Sequence, residues 1–321
     1  MIAFLQYSIR FSTVFLFGCT GETVMEKSGH LNLGVPGIMC AGTAGGCLGV
    51  SLYMSALPSS ANPNYIVLMF IGIFSAFLFA AFLGAIYAFL TVSLKCNQNI
   101  SGLALTTFGG GFTQFIMDNY VNKERFGIAS TFISKSLPFA DSLGWFGKLF
   151  LSYGFLVYLA IAVAIVASII LKRTKVGLNL RAIGENPAAA DAVGIAVDRY
   201  KYLVILIGSG IAGLGGFFGI MDQAQGAYDS YIEIESYGWL SIALVIFTVW
   251  RPNFAIVGSI LFGALYSLAH FINITTAAQS YLIGLIPYVV TVVVLIAVSI
   301  TGSKNVQPPA ALGLNYFRED R

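Results

Sequence analysis

Charge is what this sequence has least of. Of its 321 residues, 10% are Asp, Glu, Lys or Arg, whereas a soluble domain carries about a quarter. So few charges cannot cover a globular surface in water, which excludes a water-soluble protein of this length. Histidine is scarcer still: His30 and His270 stand far apart in the chain, and no HExxH helix exists to hold zinc. The four cysteines, Cys19, Cys40, Cys47 and Cys96, have neither disulfide-framework nor zinc spacing. Cys40 and Cys47, seven residues apart, share a helix face, which reads as packing. Also absent are a GxxxxGK[ST] phosphate loop and a GxSxG nucleophile elbow. No catalytic residue and no metal ligand is therefore expected. No uncharged segment holds an acid-and-base series of the kind a proton relay needs, and Asp222 reads as an interfacial acid at a span end. Lys304, Arg318 and Arg321 near the C-terminus are too few to bind nucleic acid.

Apolar residues fill the space that charge leaves. They make up 57% of the chain, with a mean hydropathy of +0.83. No charged residue occurs from Ser28 to Leu94, Cys96 to Met117, Leu149 to Leu171, Tyr202 to Met221, Ser236 to Trp250 or Pro252 to Ser303. A span takes roughly 20 apolar residues, so these windows hold about eight to ten crossings. The expected fold is an all-α polytopic membrane protein with the lipid bilayer as its solvent. Leu16-Phe17-Gly18-Cys19 resembles a lipoprotein cleavage box. The apolar run from Phe11 to Gly18 is short, though, and Phe17 is bulky where small residues are favoured, so a retained first helix is expected.

The few charges give an orientation. Lys172, Arg173, Lys175, Arg181, Arg199 and Lys201 crowd one stretch, while Asp222, Asp229, Glu233 and Glu235 follow one span later without a base. The first stretch is expected in the cytoplasm and the second outside. The stretch Asp118–Lys148 should then lie outside despite Lys123, Arg125, Lys135 and Lys148. Ser236–Trp250 reaches only about 22 Å as a helix, so it must extend into its neighbours or be re-entrant.

Two features concern packing and broken helices. Gly208, Ala212 and Gly216 recur every fourth residue, with Ser209 and Gly213 on the adjoining row. Such a small-residue seam lets helix backbones approach in lipid, within the subunit or at a subunit interface. Between two apolar runs lies Glu26-Lys27-Ser28-Gly29-His30-Leu31-Asn32-Leu33-Gly34-Val35-Pro36-Gly37. Pro36 suits the first turn of a new helix. A helix starting within the membrane would aim free amides at a cavity, as transporters do around polar substrates; an ordinary loop at the membrane surface reads equally well. The same two readings apply to Thr106, Thr107, Gly109–Gly111 and Gln114. Asn32, Gly34, Pro36, Thr107 and Gln114 are the candidate pathway residues.

The polar cluster holds Arg181-Ala182-Ile183-Gly184-Glu185-Asn186-Pro187-Ala188-Ala189-Ala190-Asp191-Ala192-Val193-Gly194-Ile195. Asn186 and Pro187 read as a helix start, Ala188–Ala190 as strong helix formers, and Gly194 as the end after about two turns. A short helix rimmed by charge suits docking into a groove on a soluble partner. Residues 177–195 closely resemble the cytoplasmic signature of ABC-importer permeases of the simple-sugar and nucleoside branch, related to ribose and branched-chain amino-acid permeases. Residues 26–39 resemble that family's first broken-helix segment, and 101–111 a segment of the second permease in nucleoside systems. Residues 238–252 and 261–265 are similar to its later core. One departure is Pro36, where the family usually has a glutamate before the glycine; its preceding acid–base pair is kept as Glu26-Lys27.

The resemblance implies a single transmembrane permease domain over residues 1–321, with residues 172–201 as its cytoplasmic loop. It implies that Gly184, Glu185, Asn186, Pro187, Ala188, Ala189, Ala190, Asp191 and Gly194 couple the chain to an ATPase. The partners it implies are a second homologous permease, an ATP-binding subunit with two nucleotide-binding domains and an extracytoplasmic substrate-binding lipoprotein. ATP and Mg would bind in the ATPase, with no cofactor on this chain. The expected place is the bacterial cytoplasmic membrane, with the C-terminus inside. Nucleosides are the first expected substrate, with simple sugars or riboflavin-like heterocycles as alternatives. A stand-alone secondary carrier or facilitator is the competing class.

Overall fold

The computed structural model describes residues 2–58, 61–136, 144–272, 277–301 and 307–317. Lys304, Arg318, Arg321 and the side chain of His270 lie outside that description. Helix follows helix along the described chain: α1 (Ile2–Glu26), α2 (Val35–Ala56), α3 (Tyr65–Ala88), α4 (Gln98–Asn119), α5 (Phe126–Ile133), α6 (Gly144–Phe150), α7 (Phe155–Arg173), α8 (Lys175–Glu185), α9 (Pro187–Ala192), α10 (Val197–Phe218), α11 (Ile232–Phe247), α12 (Pro252–Phe271), α13 (Ala277–Gly284) and α14 (Ile286–Thr301). Their starts are set locally. Asn64, Asn97, Thr174 and Asn186 accept backbone N–H groups at the first turns of α3, α4, α8 and α9. Proline opens α2, α9 and α12, where a missing N–H costs nothing.

Helices α1, α2, α7 and α10, and α3 with its π-helical end at Ser93, are long and apolar enough to cross a bilayer. Two shorter apolar stretches, Pro252–Leu268 and Leu282–Val294, add to these five among the described residues. The short α11 solves its length problem by extension, since it begins at Ile232 and takes Glu233 and Glu235 into its first turn. One end of the bundle carries α8 and α9; the opposite end carries the start of α1, α5 and α6.

Helices α1, α2 and α10 form the centre, and the glycine seam is what lets them meet. A Cβ on Gly42 of α2 would lie 2.3 Å from the Gly213 carbonyl oxygen of α10. A Cβ on Gly21 of α1 would lie 2.3 Å from the Gly208 oxygen, and one on Gly216 would lie 2.0 Å from the Met39 oxygen. Backbones at such range leave no room for side chains, so contact area replaces the hydrophobic drive that lipid cannot supply. The seam therefore packs the subunit's own helices. Outward, α3 presents Ile66, Phe70, Phe74 and Phe82, and α7 presents Ile165, Val166 and Ile169, the apolar cover expected of a lipid-facing surface.

At the opposite end the reading of Asp222 needs correction. It is no interfacial acid: its carboxylate is wholly buried and accepts from Arg10 Nε of α1 at 2.5 Å. A span end became an interior position because α10 continues through a π turn, Gly219–Gln223, that turns Asp222 inward.

Candidate coupling face and broken-helix segment

The segment after α1 is built to hide irregular backbone. Leu31 N–H donates to Gln98 Oε1 at 3.0 Å and Asn32 N–H to Glu22 Oε1 at 3.0 Å. Gly34 N–H donates to Asn32 Oδ1 at 2.9 Å. The carbonyls of Leu31 and Leu33 accept from Tyr87 Oη at 2.7 Å and Thr106 Oγ1 at 2.8 Å. These protein partners take the place of water around the non-helical backbone. Since Asn32 is bonded at the level of Glu22, the chain turns back by about one helical turn before α2 begins. α2 therefore starts recessed within protein, with Pro36 in its first turn.

The recessed start is covered on both sides. A Cβ on Gly102 of α4 would lie 2.9 Å from Gly34 N, and one on Gly238 of α11 would lie 2.4 Å from Pro36 Cα. Asn32 and Pro36 are buried, and neither they nor Gly34 lines any of the cavities described below. At this helix start α4 and α11 pack closely over the backbone. Replacing Asn32 by alanine would leave the Gly34 N–H unpaired in a dry site, at a cost of about 1–3 kcal/mol. The expected result is altered uptake with unchanged recovery of any associated subunits; an unchanged uptake constant would count against this segment.

Glu22 and Glu26 were not legible as a pair. They stand one turn apart, both buried, and the indole N–H of Trp250 donates to Glu26 Oε2. Trp250 reaches that place from a turn in which Val249 and Trp250 both adopt left-handed backbone, φ 55° and 52°. Two consecutive non-glycine residues there are uncommon and strained. His30 is buried against Tyr87, ring centres 6.4 Å apart. Burial, and after it the charges of Lys201 and Lys95, pushes its imidazole well below the usual range, so it stays neutral near pH 7.

Of the other candidate pathway residues, Thr107 points outward from α4 beside Phe108. Gln114 is half-buried, donating to Asp118 at 2.6 Å and accepting from Tyr228 Oη at 2.9 Å. Neither meets the Asn32 group.

The 184–195 segment folds as its residues suggest. Asn186 Oδ1 accepts from Ala189 N at 2.9 Å, Pro187 takes the first helical position, and the six-residue α9 ends at Ala192, shorter than two turns. Gly194 at φ 86° closes it. Gly194 N–H bonds to Asp191 O at 2.9 Å and Ile195 N–H to Ala190 O at 3.1 Å, the Schellman pattern that needs a glycine there. Ala190 packs inward on Ile183 and Val197. Glu185, Asn186, Ala189 and Gly194 are exposed, Pro187, Ala188 and Asp191 half so. Sequence reasoning missed Val193, which stands 77% exposed at the tip.

Behind α9, Gly184 is pressed so close to the Lys27 carbonyl that a Cβ would come within 2.4 Å. Lys27 is held below the usual lysine range by burial, partly offset by Glu185. A cavity of about 630 Å³ opens beside α9, lined among others by Lys95, Asp191, Asp198, Arg199 and Tyr316. A second, of about 380 Å³, is lined by Lys27, Lys172, Arg181, Arg251 and Gln307 among others. A third, of about 130 Å³, lies at the opposite end among Tyr7, Phe11, Glu233, Tyr237 and Tyr266. Among the described residues no group of His, Cys, Asp or Glu could hold a metal ion.

Known proteins resemble this chain along its length. The branched-chain amino acid transport system permease component family matches residues 4–298. A Haloferax volcanii protein provisionally assigned as a glucose ABC transporter permease, TsgC13, is 31% identical over 98% of this chain and 97% of its own. The nucleoside ABC transporter permease NupC of Lactococcus lactis is 31% identical, covering 96% and 94%. The guanosine ABC transporter permease NupQ of Bacillus subtilis is 27% identical, covering 94% and 92%. In fold, the chain is similar to an inward-facing ABC transporter provisionally of metal-chelate type, with TM-score 0.50 and 14% identity over 92% of this chain and 84% of that one. An ATPase and a substrate-binding protein are the partners such a subunit works with. With its buried helix crossings, protein-covered break and exposed short helix, the chain belongs to this branched-chain-type permease family and is the membrane permease subunit of an ABC importer.

Proposed function

We propose that this chain forms half of a nucleoside pathway across the bacterial cytoplasmic membrane, with α9 as its coupling helix. The observation that supports the coupling role is α9 itself, a capped, Schellman-closed helix with exposed Glu185 at the end of α8 before it and exposed Val193 at its own end. ATP and Mg bind in an ATPase with two nucleotide-binding domains, and its closure shifts α9. A lipoprotein outside delivers the substrate. Residues 1–321 act as one domain, with residues 172–201 as its cytoplasmic loop. The other half is a second permease of similar core. In support, L. lactis NupB, also a nucleoside ABC transporter permease, is 26% identical over 69% of this chain.

The α9 end faces the cytoplasm in this reading. Lys27, Lys95, Lys172, Arg181, Arg199 and Arg251 all border the cavities of that end, as the positive-inside rule favours. The C-terminal segment lies at the same end, since Tyr316 bonds to Asp191.

Nucleosides rank first because two of the relatives named above carry nucleoside or guanosine substrates in their names. The equal identity to the glucose permease keeps simple sugars as a second reading. Screening nucleosides, glucose, pentoses and riboflavin for stimulation of ATPase activity, in liposomes with the binding protein present, decides between them. Stimulation by sugars alone would replace the nucleoside assignment. In the same preparation, Glu185→Lys and Pro187→Gly are expected to lower uptake about tenfold while ATP hydrolysis persists. Wild-type uptake in both would remove the coupling role.

A further inference from the structure

The segment Gln307–Phe317 carries no regular helix, yet it is tied to three parts of the bundle. Tyr316 Oη donates to Asp191 Oδ2 of α9 at 2.8 Å, and its ring packs on the cluster of Ile183, Ala190 and Val197 beneath that helix. Asn315 Nδ2 donates to the carbonyls of Lys95 and Cys96, just before α4, at 2.7 and 3.1 Å. Ala311 N–H donates to Gly184 O at 2.9 Å, and Gly313 N–H to Gly29 O at 3.1 Å in the broken-helix segment.

Gln98 joins these ties. Its amide nitrogen donates to Leu314 O and Asn315 Oδ1, both at 3.3 Å, while its oxygen accepts from Leu31 N–H at 3.0 Å. One side chain at the start of α4 therefore holds the C-terminal segment with one atom and the segment before α2 with another.

We propose that Gln307–Phe317 is a strap that transmits movement of α9 to the broken-helix segment and to the start of α4, with Tyr316, Asn315 and Gln98 as positioning residues. The inference rests on the reading of α9 as the coupling helix. The physical reason is the arrangement of the ties. A displacement of α9 pulls Tyr316 through the Asp191 bond, and Tyr316 is the neighbour of Asn315. Asn315 and Gly313 then act on the carbonyls of Lys95, Cys96 and Gly29. Backbone hydrogen bonds such as those at Gly29 and Gly184 are directional, so the strap cannot follow α9 without moving what it holds.

The test uses the whole transporter in liposomes: this chain, the second permease, the ATPase and the binding protein. It measures substrate moved per ATP hydrolysed in wild type, Tyr316→Phe, Asn315→Ala and Pro187→Gly. Tyr316→Phe keeps the ring on Ile183, Ala190 and Val197 and deletes one hydrogen bond, so the chain stays folded. The expected result is a fall of about fivefold or more in transport per ATP for both strap variants, with ATP hydrolysis and melting temperature near wild type. A wild-type ratio in the strap variants beside a lowered ratio in Pro187→Gly would overturn the strap and keep α9. A wild-type ratio in all three would overturn the reading of α9 as well. A lowered melting temperature with an unchanged ratio would make the strap a structural tie only.

Discussion

Leucine in place of Gly42 is expected to prevent recovery of folded protein from the membrane. The added Cβ would sit 2.3 Å from the Gly213 oxygen and 2.4 Å from its Cα, so the collision is with backbone and no rotamer relieves it. Overpacking a core costs about 1–3 kcal/mol where side chains can yield, and here α2 and α10 must separate instead. Gly111 on α4 is the control, because a Cβ there meets nothing within 4 Å. Gly111→Leu should leave the yield of monodisperse protein on size exclusion unchanged, or raise it slightly. Equal recovery of Gly42→Leu and Gly111→Leu would mean that the seam does not hold the bundle together.

The second large effect is expected at Arg10 and Asp222. Removing one member of a buried pair leaves an uncompensated charge and costs about 3–5 kcal/mol. Asp222 has no exposure, whereas the Arg10 side chain keeps 29%. Arg10→Met, which strands the acid, should therefore hurt more than Asp222→Asn, which leaves the base a path to water. The double change Arg10→Met with Asp222→Leu should recover most of the thermal stability lost in Arg10→Met, since two apolar residues need no partner. A double variant as unstable as the single one would show that the pair does more than neutralise itself. Thermal denaturation of the detergent-solubilised chain measures all three.

How much could be read from residue types alone depended on how local the physics was. The crossings follow from where charge is missing. The start of α9 at Asn186 and Pro187 and its end at Gly194 follow from caps that act within a few residues. The seam on α10 was legible because a four-residue period is a property of one helix, although its partners Gly21 and Gly42 were not. Burial of Glu26 was illegible because its partner, Trp250, lies 224 residues away. Asp222 misled for the same reason. Thr107 was grouped with Thr106, but one residue turns a helix by about 100°, so Thr106 bonds to Leu33 while Thr107 faces outward. The strap left no trace in residue types at Ala311 and Gly313, since those ties are made by backbone N–H groups.

The crowding of bases at the α9 end has a consequence for how the chain enters its membrane. A resting bacterial membrane is negative inside, and moving one elementary charge across it is worth about 2.3 kcal/mol per 100 mV. In the orientation proposed above, Lys172, Arg173, Lys175, Arg181 and Arg199 never make that journey, whereas an inverted chain would have to drive each of them uphill against the voltage. Voltage and anionic lipid headgroups on the inner leaflet then act in the same direction, at about 1 kcal/mol per basic residue for the lipids. The sparse charges that make the protein insoluble in water are thus also the weights that decide which way up it settles.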